Sequence, residues 1–210
     1  MSLDLWDALA LRRSITEFRR NMVVARTVRL LTRGDRGLPL VSSLAQEADR
    51  HSLSRSLVIT LVLQESQFYH GARGGTFWTN VFLFARYLPV RRLQNKSLGI
   101  TSIKPVLLVE LSQAGLLGSA STEELAMRVA RDEQYAVHVA CVQLKALTKR
   151  GATDEVAFLA YAASQATTCA LLTAPEQVLS DNGAFRKRRL DYDRLLPLAQ
   201  RLLAACEEFP

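Results

Sequence analysis

The sequence predicts a mainly α-helical protein, and three observations carry that expectation. Glycine and proline are sparse, 10 and 6 in 210 residues, while Ala, Leu and Arg abound. Apolar residues recur at helical spacing through several long runs, SLVITLVLQ and YAVHVACVQLKAL among them. Many of those runs open on residues that start helices: Ser54, Pro105, and Ser121 or Thr122 with Glu124. A chain of this length buries a proper core, and 49% hydrophobic with 22% charged residues is a globular composition. One domain, or one domain with an appendage, accounts for it.

The elements follow in order. Residues 3–33 read as one long helix or two joined, with Leu5, Leu9, Ile15, Phe18, Met22 and Leu30 on an apolar face and Arg12, Arg13, Arg19, Arg20 and Arg26 around it. Gly34, Gly37 and Pro39 end it. Residues 1–38 thus form an Arg-rich N-terminal helical segment, either packed with a solvated Arg face or serving as an amphipathic arm for a protein partner or membrane surface. The main domain spans 39–210. It begins with a helix over about 41–51, then a helix capped by Ser54 that ends near Phe68. Gly71, Gly74 and Gly75 break the chain, and the aromatic run 76–88 suits a short helix or a hairpin. A basic loop leads to a helix from Pro105 to about Ala114, closed by Gly115 and Gly118. Further helices are expected over 122–130, 132–149 and 153–172. The basic cluster Arg186 to Arg189 precedes a last helix over 191–208.

The net charge of +7 is unevenly placed. Residues 1–37 hold eight Arg against four acids, and residues 66–109 hold six cations, Arg73, Arg86, Arg91, Arg92, Lys96 and Lys104, against no acid at all. Such patches attract polyanions: nucleic acid, acidic lipid or bacterial wall polymer. Phe77, Trp78, Phe82, Phe84 and Tyr87 interleave with the basic residues, but no zinc-finger, basic-zipper or glycine-rich RNA-binding signature accompanies them, which argues against nucleic acid. The three cysteines, Cys141, Cys169 and Cys206, read as small buried hydrophobes, and the three histidines, His51, His70 and His138, are isolated in the sequence. Neither a metal nor another cofactor is expected. The N-terminus does not read as a secretory signal, and no uncharged apolar stretch suits a transmembrane span.

Glu65 stands out against this background. It closes the apolar run LVLQE and borders the acid-free basic stretch, which suits a general acid/base working on an anionic polymer; a surface Glu beside an ordinary basic loop is the plainer alternative. Four pieces in order resemble the lysozyme-like fold of the lytic transglycosylases and goose-type lysozymes. An apolar helix ends in Glu65-Ser66-Gln67-Phe68. Residues 97–105, SLGITSIKP, match the family's Ser-x-Gly element and the Gly-Leu-Met-Gln-Leu-Met-Pro element that follows, with Gly99, Ile100, Ile103 and Pro105 in place. Asp132-Glu133-Gln134 opens the next helix, and AYAAS at 160–164 stands where the family has Ala-Tyr-Asn-Ala-Gly. The likeness spans roughly residues 40–175. It departs from the family pattern at Ser102, where the family has Gln, and at Ala162, where it has Asn.

The resemblance implies a lysozyme-like helical domain with a small lobe or hairpin after the catalytic-Glu helix and an extra N-terminal helix. It implies a muramidase or lytic transglycosylase cutting the MurNAc-GlcNAc bond of peptidoglycan strands at the bacterial cell wall, in the periplasm or outside the cell. Glu65 would be the single catalytic acid and base, since the window after it supplies no second carboxylate, with Glu110 and Asp132 as the acids from elsewhere that could enter the cleft. Ser97, Gly99, Ser102 and Tyr161 would bind or orient substrate, and Tyr161 is also readable as core. The basic, aromatic segment 73–96 would stack on sugars and meet stem-peptide carboxylates. The competing class is a lysozyme-like module that has lost catalysis and binds wall glycan or serves a larger assembly. A helical nucleic-acid binder is the third class, betrayed by salt-sensitive affinity.

Overall fold

The computed structural model describes residues 37–65 and 97–208, and within these the protein is mainly α-helical. The N-terminal helix expected over 3–33 and the aromatic, basic lobe expected before Ser97 lie outside the described residues. Among the described residues nine helices follow one another: α1 Gly37–Arg50, α2 Arg55–Glu65, α3 Pro105–Gln113, α4 Thr122–Arg131, α5 Glu133–Lys149, α6 Asp154–Ala160, α7 Gln165–Thr173, α8 Pro175–Asp181 and α9 Gly183–Glu208.

Helix α2 is the axis of the packing. Every residue from Leu57 to Leu63 is buried, so the helix has no solvated stripe and needs neighbours on all sides. It finds them in α1, α6 and above all α9, which lies along it. Helix α5 supplies the second layer, packing on α1, α4 and α6, with Tyr135, Val139, Ala140, Cys141 and Leu144 turned inward. Phe158 of α6 is fully buried and meets the Tyr192 ring of α9 with centroids 5.0 Å apart.

The starts of these helices are local chemistry. Ser54 Oγ accepts from Leu57 N at 3.4 Å ahead of α2, and Pro105 opens α3 at a position that needs no N–H. Ser121 and Glu124 form a full capping box on α4, and Asp132 accepts from Tyr135 N at 3.0 Å ahead of α5.

Three expectations need correction. The helix expected over 153–172 is two: Tyr161–Ala163 form a turn, and the Ser164 side chain accepts from Thr167 N to start α7 afresh. The cluster Arg186–Arg189 does not precede the last helix but lies inside it, because Asn182 Oδ1 accepts from Ala184 N at 3.0 Å and starts α9 early. Cys169, expected as buried, is exposed, whereas Cys141 is buried as expected.

One core group is left unmatched. Thr60 is fully buried on α2, and its hydroxyl has no hydrogen-bond partner among the described residues. Its desolvation is uncompensated, so Thr60→Val is expected to raise stability by about 1 kcal/mol. Urea titration of the two chains would show it, and a loss instead would mean that the hydroxyl has a partner.

Candidate functional site

The site is assembled around a tight reversal of the chain. Leu98 and Ile103 pair across it, Leu98 N to Ile103 O at 2.7 Å and Ile103 N to Leu98 O at 2.9 Å, and Ser102 N closes the turn on Gly99 O at 3.2 Å. Gly99 has φ +69° and lies so close to α4 that a Cβ there would stand 2.5 Å from the Val129 carbonyl oxygen. Thr101, fully buried, donates through Oγ1 to the Ala136 carbonyl of α5 at 3.0 Å. The loop is therefore bolted to the junction of α4 and α5 and holds Ser102, itself at φ +53°, out toward α2.

There Ser102 Oγ donates to the Glu65 carbonyl oxygen at 3.1 Å. From the other side Tyr161, in the turn after α6, donates its hydroxyl to the Thr101 carbonyl at 2.8 Å. Burial, and then the Glu65 charge nearby, push the Tyr161 phenol well above its ordinary range, so it stays a protonated donor. Gln143 of α5 holds the Tyr161 carbonyl at 3.1 Å through Nε2, while its Oε1 is buried without a hydrogen-bond partner among the described residues. Four segments far apart in sequence thus converge on one groove of about 650 Å³. Glu65, Ser97, Ser102, Gln143 and Tyr161 line it, together with exposed Lys104, Glu110 and Arg150.

The residues singled out in the sequence therefore divide by role. Glu65, Ser97, Ser102 and Tyr161 all reach the groove, but the Tyr161 hydroxyl is already spent on the loop. Gly99 sits behind the wall as a packing element against α4. Of the two further acids, Glu110 lines the groove, whereas Asp132 caps α5 and lines a separate hollow beside Glu47 and His138.

The partner of Glu65 lies far from it in the sequence. Arg188 Nη2 donates to Glu65 Oε1 at 2.7 Å, across 123 positions, and both side chains are only 13% exposed. The same guanidinium donates through Nε to the Phe158 carbonyl at 3.1 Å and stands over the Phe158 ring, 4.6 Å from its centroid. Its flat fork thus joins the end of α6 to the described end of α2. A signal for Arg188 does exist in the sequence. Tyr192, Leu195, Ala199 and Leu202 form the buried stripe of α9, and one step back at helical spacing lands on Arg188. Its neighbour Arg189 pairs instead with Glu155 at 2.8 Å and Glu176 at 3.1 Å, while Arg186 and Lys187 are exposed.

Two of the three histidines that are isolated in the sequence meet in the structure, and His70 lies outside the described residues. His51 and His138, 87 positions apart, meet at 3.2 Å beside Glu47. As for membranes, no helix among the described residues is long and apolar enough to cross one. Comparison of the chain with protein-family models, with curated proteins and with solved structures found no match.

Proposed function

We propose that this protein acts on peptidoglycan at the bacterial cell wall, binding a glycan strand in the groove and cleaving its MurNAc-GlcNAc bond with Glu65. The observation that carries this reading is convergence: Glu65, the Gly99–Ser102 loop and Tyr161, separate pieces of the family resemblance, border one groove. The groove's surface chemistry suits the ligand. Lys104 and Arg150 offer cations to stem-peptide carboxylates, and half-exposed Val106 offers an apolar surface to a sugar face.

In this reading the Glu65 carboxyl protonates the leaving glycosidic oxygen as the C1–O bond breaks, and the resulting carboxylate then takes the proton of the incoming hydroxyl. When that hydroxyl is the sugar's own C6–OH, the product is a 1,6-anhydromuramoyl end and no second acid is required. Glu110, exposed on the same groove, is the candidate base for a water molecule if the outcome is hydrolysis. Arg188 must release Oε1, or the proton must ride on Oε2, for the acid step to occur.

The Arg188 ion pair also favours a second reading, in which the groove holds glycan without cutting it. A guanidinium at 2.7 Å neutralises the carboxylate and ties it to the scaffold, as expected of a structural pair. Mass spectrometry of purified peptidoglycan treated with the native chain and with Glu65→Gln separates the two. Anhydromuropeptides from the native chain alone are expected. Soluble fragments from neither chain, with glycan binding retained by both, would replace cleavage by binding.

A further inference from the structure

Away from the groove of Glu65, three ligand-type atoms meet at one point. Glu47, in the last turn of α1, and His51, the residue just past its end, come together, and His138 of α5 reaches them from across the interface. Glu47 Oε1 lies 2.8 Å from His138 Nδ1 and 3.1 Å from His51 Nε2, and the two ring nitrogens are 3.2 Å apart.

Hydrogen bonds cannot satisfy all three edges of this triangle. If both nitrogens carry protons, both donate to Oε1, and the two N–H groups then face each other. If either nitrogen is bare, its lone pair faces either the carboxylate or an equally bare neighbour. With Glu47 ionised, every assignment of protons to the two rings leaves one edge between like dipoles. A cation removes the conflict, because each of the three atoms then turns a lone pair toward one centre.

We propose that Glu47, His51 and His138 form a binding site for one zinc-class divalent cation that pins α1 to α5. The dimensions agree. A point ~2.05 Å from all three atoms, the usual zinc–imidazole and zinc–carboxylate distance, lies about 1 Å off the plane of the triangle. That is the position of a metal on a three-ligand base with its fourth place open. Two imidazoles and one carboxylate select zinc and its neighbours over magnesium or calcium, which need oxygen shells.

The surroundings are those of a ligand set rather than a loose surface cluster. Arg50 Nη1 donates to Glu47 Oε2 at 3.0 Å, which leaves Oε1 as the ligand atom and fixes the carboxylate's rotation. The His138 ring is stacked on Tyr135, centroids 5.9 Å apart, and Arg128 lies over the Tyr135 ring, 3.9 Å from its centroid. Glu47 and His51 side chains are 12% and 18% exposed, but His138 is 40% exposed and opens on a hollow of about 420 Å³, the entry path and the room for a fourth ligand.

The test uses the full chain, free of any histidine tag, titrated calorimetrically with zinc chloride. One equivalent is expected, with the affinity falling about 100-fold or more in Glu47→Gln and in His138→Gln, whose half-exposed side chain makes misfolding a poor explanation. Zinc at a hundredfold excess over its Kd should raise the melting temperature by ~5–10 °C in the native chain only. Cobalt should give the visible absorption of a four-coordinate ion, lost in both variants. Absence of stoichiometric binding, or binding that survives in both variants, would overturn the site. Glu65→Gln should bind zinc like the native chain, so the fate of this site is independent of the fate of the groove.

Discussion

Replacing Arg188 with Met is expected to destabilise the protein by about 3 kcal/mol, far beyond what an ordinary surface arginine is worth. The substitution removes the 2.7 Å ion pair to Glu65, the 3.1 Å bond to the Phe158 carbonyl and the cation over the Phe158 ring. It also strands the Glu65 carboxylate, 13% exposed, without its cation. Fully buried pairs lose ~3–5 kcal/mol when one partner is deleted, and the residual exposure here places this pair at the low end. Glu65→Gln should cost less, about 1–2 kcal/mol, because the amide oxygen still accepts from Arg188. The double variant should be less damaged than the sum by ~1–2 kcal/mol, the coupling between the two side chains. Arg188→Lys rescues little, since an ammonium cannot bond Glu65 and Phe158 in one plane. Chemical denaturation of the four chains, with exposed Arg186→Met as the comparison, reads all of this. An Arg188→Met chain no weaker than Arg186→Met would mean the pair does not hold α9 to the site.

Why Arg188 escapes a sequence reading, while Glu65 does not, is a matter of range. Glu65 announces itself locally, as a lone acid closing an apolar helix and bordering a basic stretch. Helix starts are equally local: Ser54, Pro105, Ser121 with Glu124, and Asp132 each satisfy or excuse donors within three residues, so α2 to α5 begin about where expected. The errors arise where a local signal competes with periodicity. Apolar spacing runs unbroken from α6 into α7 and hides the turn at Tyr161, although Ser164 is a readable cap. Likewise, four consecutive basic residues look like a loop, whereas Asn182 had already started a helix whose register turns Arg188 inward and Arg186 outward.

Long-range pairing is a separate matter. The spacing of Glu47 and His51 keeps them close, but nothing local brings His138 to them from 87 positions away. The same holds for the Tyr161 hydroxyl, which a motif places near the groove but only packing assigns to the Thr101 carbonyl. Tyr161 and Gly99 thus belong to the architecture of the groove: both fix the loop that presents Ser102 to Glu65. Function read from sequence pieces identifies the neighbourhood, and packing decides which residue meets a ligand and which one merely holds another in place.

Gly99→Ala isolates that holding role. Two penalties fall on one methyl group. At φ +69° an L-residue loses about 1 kcal/mol or more relative to glycine. Its Cβ would also stand 2.5 Å from the Val129 carbonyl oxygen and 3.2 Å from Ala136 Cβ, atoms of two packed helices that have little room to yield. Relief by backbone movement adds ~1–3 kcal/mol, so a total near 3 kcal/mol is expected, with the melting temperature about 10 °C lower. Gly115→Ala is the matched control: its φ is +71°, but nothing lies within 4 Å of the added Cβ, so only the conformational penalty applies. The difference between the two variants measures the close approach of the loop to α4. Movement of the loop away from Val129 also shifts Thr101 from the Tyr161 hydroxyl and Ser102 from the Glu65 carbonyl, so under the proposed function Gly99→Ala should lose glycan binding while still folded at low temperature. Gly115→Ala should keep it. Equal melting temperatures and equal binding in the two variants would show that the loop is not held by α4 and that the groove is shaped by other contacts.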